Sequence, residues 1–198
     1  MKAPGAHKSS YHHGDLRAAL IRAGLALLQE RDADDLGLRE VARAVGVSAA
    51  SVYRHFPNKE ALLRALAAEG LKRLGEAQRA ASEAAGGGIA GFAATGQAYV
   101  AFALAHPALF RVIFSRAEPE PEGGPSKKED ETSQLLMEFA ASMAGRTSTE
   151  EARMIATQSW ALVHGLAVLI LDKRLPNDTA LVGNVIERAA SQMRTVRS

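Results

Sequence analysis

Between residues 48 and 59 the chain gathers side chains whose chemistry suits a polyanion. Tyr53 offers a phenol, Arg54 a guanidinium, His55 an imidazole and Lys59 an ammonium. Such groups hold phosphate oxygens without reading sequence, whereas a guanidinium can also pair bidentately with guanine. Just before them stand four small residues, Ser48, Ala49, Ala50 and Ser51. Small side chains at a helix start let the backbone enter a major groove, where base edges are read. Three roles stay open for Arg54: a guanine contact, a phosphate contact, or pairing with a nearby acid. Arg39 is a further candidate base contact.

Other chemistries fare worse. The chain contains no cysteine, which removes disulfides, thiolate metal sites and thiol nucleophiles. It carries no Gly-rich phosphate loop and no nucleophile motif. His12 and His13 adjoin each other, but with no carboxylate or cysteine partner they make a poor metal site. Glu150 and Glu151 are explained by the electrostatics of a helix start. No enzyme activity, cofactor or metal is expected.

The elements that must position residues 48–59 can be read from spacing. Leu38 to Val45 forms a short helix, which Gly46 breaks, since glycine supplies the positive φ of a tight turn. Ser48 is a good N-cap for a second short helix ending near Phe56, and Pro57 stops it. Two short helices joined by a Gly-containing turn have the geometry of a helix-turn-helix. Val41, Val45, Val47, Val52 and Phe56 can close a small core against a preceding helix. That helix starts near Gly14 or Asp15 and carries Leu16, Leu20, Ala23 and Leu27 on one face. Asn58 caps the next helix, whose free N–H groups also favour a phosphate and which runs to about Ala84.

Beyond the break at Gly86, Gly87 and Gly88, which composition marks as a boundary, the pattern is helical throughout. Helices are expected over about 89–105, 108–115, 129–144, from a Ser148–Glu151 capping box to about 173, and from Pro176–Asn177 onward. The last should bury Leu181, Val185, Ile186, Ala189 and Met193. The stretch 117–128, rich in Pro, Glu and Gly, reads as a flexible loop, and charge over 117–131 is acidic. No segment alternates with period two. The fold class is therefore all-α, in three parts: a basic arm over 1–13, a helix-turn-helix domain over 14–66, and a helical domain over 67–198.

Charge agrees with this division. Net charge is only +2, but residues 36–66 hold five bases against two acids, and residues 1–13 hold Lys2 and Lys8 with no acid. Positive charge gathered near one end is the footprint of a nucleic-acid-binding face. The longest apolar stretch, Trp160 to Leu171, is roughly half of the ~20 residues a membrane helix needs. The N-terminus lacks an apolar signal region. A soluble cytoplasmic protein without a membrane partner is expected.

The segment Val41-Ala42…Gly46-Val47-Ser48…Val52-Tyr53-Arg54-His55-Phe56-Pro57-Asn58-Lys59-Glu60-Ala61-Leu62-Leu63 resembles the DNA-binding domain of the TetR family of bacterial regulators. The resemblance implies that Ser48, Ala49, Ala50 and Ser51 approach bases or backbone, and that Tyr53, His55 and Lys59 contact phosphates. Gly37 departs from the pattern, because these proteins often place Thr or Ser there, and a weaker cap is expected. Trp160-Ala161-Leu162-Val163-His164-Gly165 and the arm Tyr11 to Arg17 resemble one branch of that family. The resemblance implies a homodimer joined through its last two helices, with a ligand cavity in each second domain. Tyr99, Phe102, Phe110 and Phe114, with Met137, Trp160 and His164, are candidates to line it, although each also suits a plain core. The expected function is a repressor that leaves a palindromic operator when a small apolar organic ligand moves the helix from Asn58 to Ala84. The alternative is an activator, or a DNA-binding regulator without a small-molecule ligand.

Overall fold

The computed structural model describes residues 13–115 and 149–195. Residues 1–12 of the arm expected over 1–13, the loop over 117–128, Met137 with its helix, and the Ser148 cap lie outside these residues, while His13, the last residue of that arm, opens α1 instead. Every described element is helical: α1 (His13–Leu27), a 3-10 turn (Ala33–Asp35), α2 (Leu38–Val45), α3 (Ala49–Tyr53), α4 (Lys59–Ala84), α5 (Gly88–Ala105), α6 (Pro107–Ser115), α7 (Thr149–Leu171) and α8 (Thr179–Thr195). The all-α expectation holds. The chain divides into two compact units, residues 1–66 and 67–198. The triple glycine that composition marks as a boundary therefore falls inside the second unit. Gly86, Gly87 and Gly88 all have positive φ and reverse the chain between α4 and α5.

In the first unit α1 packs on α2, and α2 on α3. The buried stripe of α1 is Ala19, Leu20 and Leu25, continued by Leu28 just past its end. Of the four residues expected on this face, only Leu20 is fully buried; the stripe is rotated by about a residue. Val41, Val52 and Phe56 are buried as expected, whereas Val45 and Val47 are only half-buried, at the rim of the turn. The Arg17 guanidinium lies 5.3 Å from the centre of the Phe56 ring. A cation over an aromatic face is attracted by the ring quadrupole, which ties α1 to the end of the recognition segment.

In the second unit α5 is the central helix and packs against α6, α7 and α8. Gly96 makes this possible: a Cβ there would stand 3.1 Å from both Ile186 on α8 and Val163 on α7. Pro107 opens α6, as suits a residue whose missing N–H is unpaired there anyway. The start of α8 corrects the sequence reading. Pro176 and Asn177 precede the helix, and Asp178 caps it, its Oδ1 accepting from the N–H of Ala180 at 2.9 Å and of Leu181 at 3.1 Å. The buried face of α8 is Val182, Ile186 and Ala190, while Leu181 is exposed and Val185 and Ala189 are half-buried. The end of α7 also moves inward, to Leu171, with Lys173 in the left-handed region at φ 57°.

Two helices, Gly88–Ala105 and Glu150–Leu171, are long and apolar enough to cross a membrane by length and composition alone. Sequence alone suggests no such run, because the uncharged apolar stretch from Trp160 to Leu171 is only the second half of the longer helix. For Gly88–Ala105 burial accounts for the composition, since that helix is the centre of the second unit. α7 is different. Ala152, Ala156, Val163, Ala167 and Ile170 face inward, but Met154, Trp160 and Leu169 are exposed.

Candidate nucleic-acid interface and ligand cavity

The recognition segment is set by three capping arrangements. Gly46 takes φ 75° after α2, and the Val47 N–H returns to the Ala42 carbonyl at 3.0 Å. Only glycine adopts that conformation without strain, so the turn between the two helices is tight. Ser48 then caps α3, its Oγ accepting from the Ser51 N–H at 3.2 Å. Asn58 caps α4, its Oδ1 accepting from the Ala61 N–H at 2.8 Å. The weak cap expected at Gly37 is compensated. Glycine has no side chain to give, and instead Glu40 Oε2 accepts the Gly37 N–H at 3.3 Å while its Oε1 pairs with Arg31 at 2.7 Å.

The expected DNA-facing residues fall on one accessible stretch. Tyr53 is 48% exposed, which is far more than a packed aromatic shows. Ser48, Ala50 and Arg54 are exposed, with Ala49, Ser51 and His55 half-buried among them. Arg39 and Arg43 of α2 are exposed as well. Two side chains have partners that sequence could not reveal. Ser51 Oγ lies 2.9 Å from Ser48 Oγ and accepts from Arg54 at 3.2 Å. Of the three roles left open for Arg54, none describes this arrangement, in which the guanidinium folds back on its own helix. Lys59 donates to the Asp34 carbonyl oxygen at 2.5 Å, closing α4 onto the 3-10 turn.

In the second unit the structure brings together five of the seven expected cavity residues, as an aromatic cluster. Tyr99 meets Phe110 edge-on at 5.7 Å, and Phe114 stands 4.9 Å from the His164 ring and 6.4 Å from Trp160. Phe102 lies apart, against His106 at 5.0 Å, and belongs to the core. A hydrogen-bond chain runs through the cluster. The Trp160 indole N–H donates to the Tyr99 hydroxyl at 3.3 Å, and that hydroxyl lies 2.9 Å from His164 Nδ1. An indole can only donate, so the Tyr99 oxygen accepts from Trp160; with the neutral His164 protonated on Nε2 the Tyr99 proton goes to Nδ1, and in the other tautomer Nδ1–H donates to Tyr99 instead. Burial pushes the His164 imidazole below its usual value, which favours the neutral ring. Burial likewise raises the Tyr99 phenol, against a smaller opposing effect of Trp160, so it keeps its proton.

Beside this cluster, α4, α5, α7 and α8 enclose a cavity of about 40 Å³. Tyr99 and Trp160 line it, but Phe110, Phe114 and His164 do not. Its other polar walls are Gln78, Thr95 and Ser159, which the sequence reading missed. A faint signal existed: three polar residues stand on otherwise apolar helix faces. Their convergence from three helices depends on tertiary packing.

Comparison with known proteins supplies the remaining context. Residues 20–66 match the family profile described as bacterial regulatory proteins of the TetR family, and residues 92–193 match that of the tetracyclin repressor-like C-terminal domain. No curated protein sequence matches. A protein of unknown function from Rhodococcus sp. RHA1 is similar at 32% identity, with a TM-score of 0.72 over 96% of this chain and 98% of the other. TetR from Acinetobacter baumannii AYE is similar in fold at 20% identity and a TM-score of 0.59, over 96% of this chain and 100% of the other. A variant of that regulator in complex with minocycline has the same identity and TM-score over 96% of this chain and 99% of its own. With both halves of the chain matched, and the capped helix-turn-helix and the α5-centred helical unit in place, this protein belongs to the TetR family of transcriptional regulators.

Proposed function

We propose that the protein is a homodimeric repressor, acting in the cytoplasm, that binds a palindromic operator through α3 and is released by a small neutral organic molecule. The observation that carries the reading is the exposed face of the recognition segment. A 48% exposed tyrosine stands there next to exposed Arg54, with Arg39 and Arg43 exposed on α2, and the helices are locked by Gly46, Ser48 and Asn58. Tyr53 and His55 would hold phosphates, and Ala49, Ala50 and Ser51 would meet base edges. Lys59 would reach a phosphate by giving up the Asp34 carbonyl.

Release would start in the second unit. The ligand seen in a variant of the Acinetobacter baumannii regulator supports a small-molecule effector for this chain also. Gln78 belongs to α4, the helix that begins at Lys59 beside the recognition segment, so an occupant of the cavity acts on the helix that carries both. The effector must bind the released state better than the DNA-competent one, with a typical coupling of about 1–3 kcal/mol. The small cavity favours a second reading, a DNA-binding regulator without a small-molecule effector. Selection of bound sequences from a random DNA pool, followed by titration of the complex with candidate effectors, separates the two. Recovery of a pseudo-palindrome and loss of binding on titration is the expected result. Failure to enrich any sequence would overturn the DNA-binding reading.

A further inference from the structure

Gln78 is a polar side chain in an apolar place. It is 8% exposed, lines the cavity among Phe92, Val163 and Ile186, and sits on the inward face of α4. Among the described residues its amide has one partner: Nε2 donates to the Thr95 carbonyl at 3.4 Å. That contact fixes the orientation of the amide, because turning it over would set Oε1 against another carbonyl oxygen. Oε1 is thus the atom left over, and among the described residues it is buried with no donor. A buried acceptor left unpaired is costly, and native structures leave few of them.

The rest of the wall offers Oε1 nothing. Thr95 gives its hydroxyl proton to the Phe92 carbonyl at 2.7 Å. Ser159 directs its own to the Ile155 carbonyl at 2.7 Å. The Trp160 N–H is used on Tyr99, whose hydroxyl is engaged with His164 Nδ1 at 2.9 Å. The one donor left over among these is the second N–H of the Gln78 amide, so the cavity presents chiefly lone pairs. No charged side chain lines it, so an ion would be desolvated there without a counter-charge.

We infer that the cavity between α4, α5, α7 and α8 selects a small neutral molecule with an apolar body and one hydroxyl or similar hydrogen-bond donor, which it places on Gln78 Oε1. This rests on the small-molecule reading above and narrows it. A molecule that only accepts hydrogen bonds, or that carries charge, is disfavoured by the same wall. The inferred site also shifts the effector away from Phe110, Phe114 and His164, which sequence reasoning favoured, toward Gln78, Thr95 and Ser159.

The chain has a single tryptophan, and it lines this cavity, so its indole N–H resonance reports occupancy directly. The test titrates the full-length protein, labelled with nitrogen-15 at tryptophan, with 2-butanol and separately with butanone. The two match in size and differ in whether they can donate. The expected result is saturable movement of the indole resonance, with 2-butanol binding about tenfold more tightly, the size of one hydrogen bond to an otherwise unpaired acceptor. In Gln78→Met that preference should fall to within about twofold, and because the orphaned acceptor is gone, the variant should melt no lower than the parent. Equal binding of alcohol and ketone, no saturable binding of either, or a preference that survives in Gln78→Met would each overturn the inference. The titration contains no DNA. A protein that fails here yet still releases an operator to some other compound keeps the repressor reading, and one that succeeds here but binds no operator loses it.

Discussion

Lys59 must exchange a partner to touch DNA, and that makes its role measurable. Its ammonium rests on the Asp34 carbonyl, an exposed contact that a phosphate can displace. Tyr53→Ala combined with Lys59→Ala should weaken binding across all sequences by about tenfold or more and lower the salt slope by roughly one per lost phosphate contact. Electrophoretic mobility or anisotropy titrations at several salt concentrations would read both effects, and unchanged affinity at moderate salt would show that this face does not meet the backbone. Substitutions at Ala50 or Ser51 should instead change which bases are preferred. At Ser51 part of the effect would come from freeing Arg54, which the Ser51 hydroxyl now holds. His164 gives a second test at this scale. Its folded imidazole is held below the ordinary value of 6.5 by burial, so the unfolded chain takes up a proton first as pH falls. The stability tied to the neutral ring is fully present above the unfolded value and is lost as pH drops from there through the folded one. Melting temperature should therefore fall as pH drops below about 7, and fall less in His164→Gln, which does not titrate and whose amide can still bond to Tyr99.

The short recognition helix has five residues, too few to hold itself, so its cap matters more than its length. Ser48→Ala removes the acceptor for the Ser51 N–H and should cost about 1 kcal/mol in thermal or denaturant unfolding, with DNA affinity falling further than stability. An unaltered melting curve would mean that water replaces the cap without penalty. Such local devices are what a sequence displays best. Gly46, Ser48, Pro57 and Asn58 are breakers and caps whose meaning depends only on near neighbours, and α2 and α4 follow from them, whereas α3 stops at Tyr53, three residues short of the end expected near Phe56. Faces were less legible. On α8 Ile186 is buried as expected, close to Gly96, but Val182 and Ala190 rather than Leu181, Val185 and Ala189 share the inward face with it. The start of that helix was misplaced because Pro176 and Asn177 both look like openers, and only the bonds from Asp178 decide between the three. The cavity was least legible. Gln78, Thr95 and Ser159 are far apart in the chain and unremarkable alone, and their meaning comes from the hydrogen bonds that spend each donor. Aromatic residues drew attention in the sequence because they are rare and bulky, yet most of them pack on one another.

Two glycines bear on the assembly of the whole molecule. Each lies inside a helix, where glycine costs about 1 kcal/mol relative to alanine. Nothing within the described protomer requires either: a Cβ at Gly165 meets no atom within 4 Å, and one at Gly183 meets only the Gln97 amide at 3.5 Å. Gly165 shares α7 with exposed Met154, Trp160 and Leu169, and Gly183 shares α8 with exposed Leu181. These are the features of a face that a second copy covers, with glycines allowing close approach of helices. Gly165→Leu and Gly183→Leu should leave each protomer folded by circular dichroism while shifting sedimentation toward monomer, because the added side chain has room within the protomer and none across the interface. A fully dimeric pair of variants would move the interface elsewhere. The dimer should read two half-sites whose centres lie about 34–36 Å apart, as two-fold symmetry in the protein is mirrored in the operator. The uncovered side of α7 also has a consequence for gene dosage. A newly made chain would carry an apolar helix with no cover until it meets a sister chain, so at low copy number the active species would grow with the square of chain concentration. Halving expression would then cut operator occupancy by more than half, and a cell could set the threshold of its response through the strength of a single promoter.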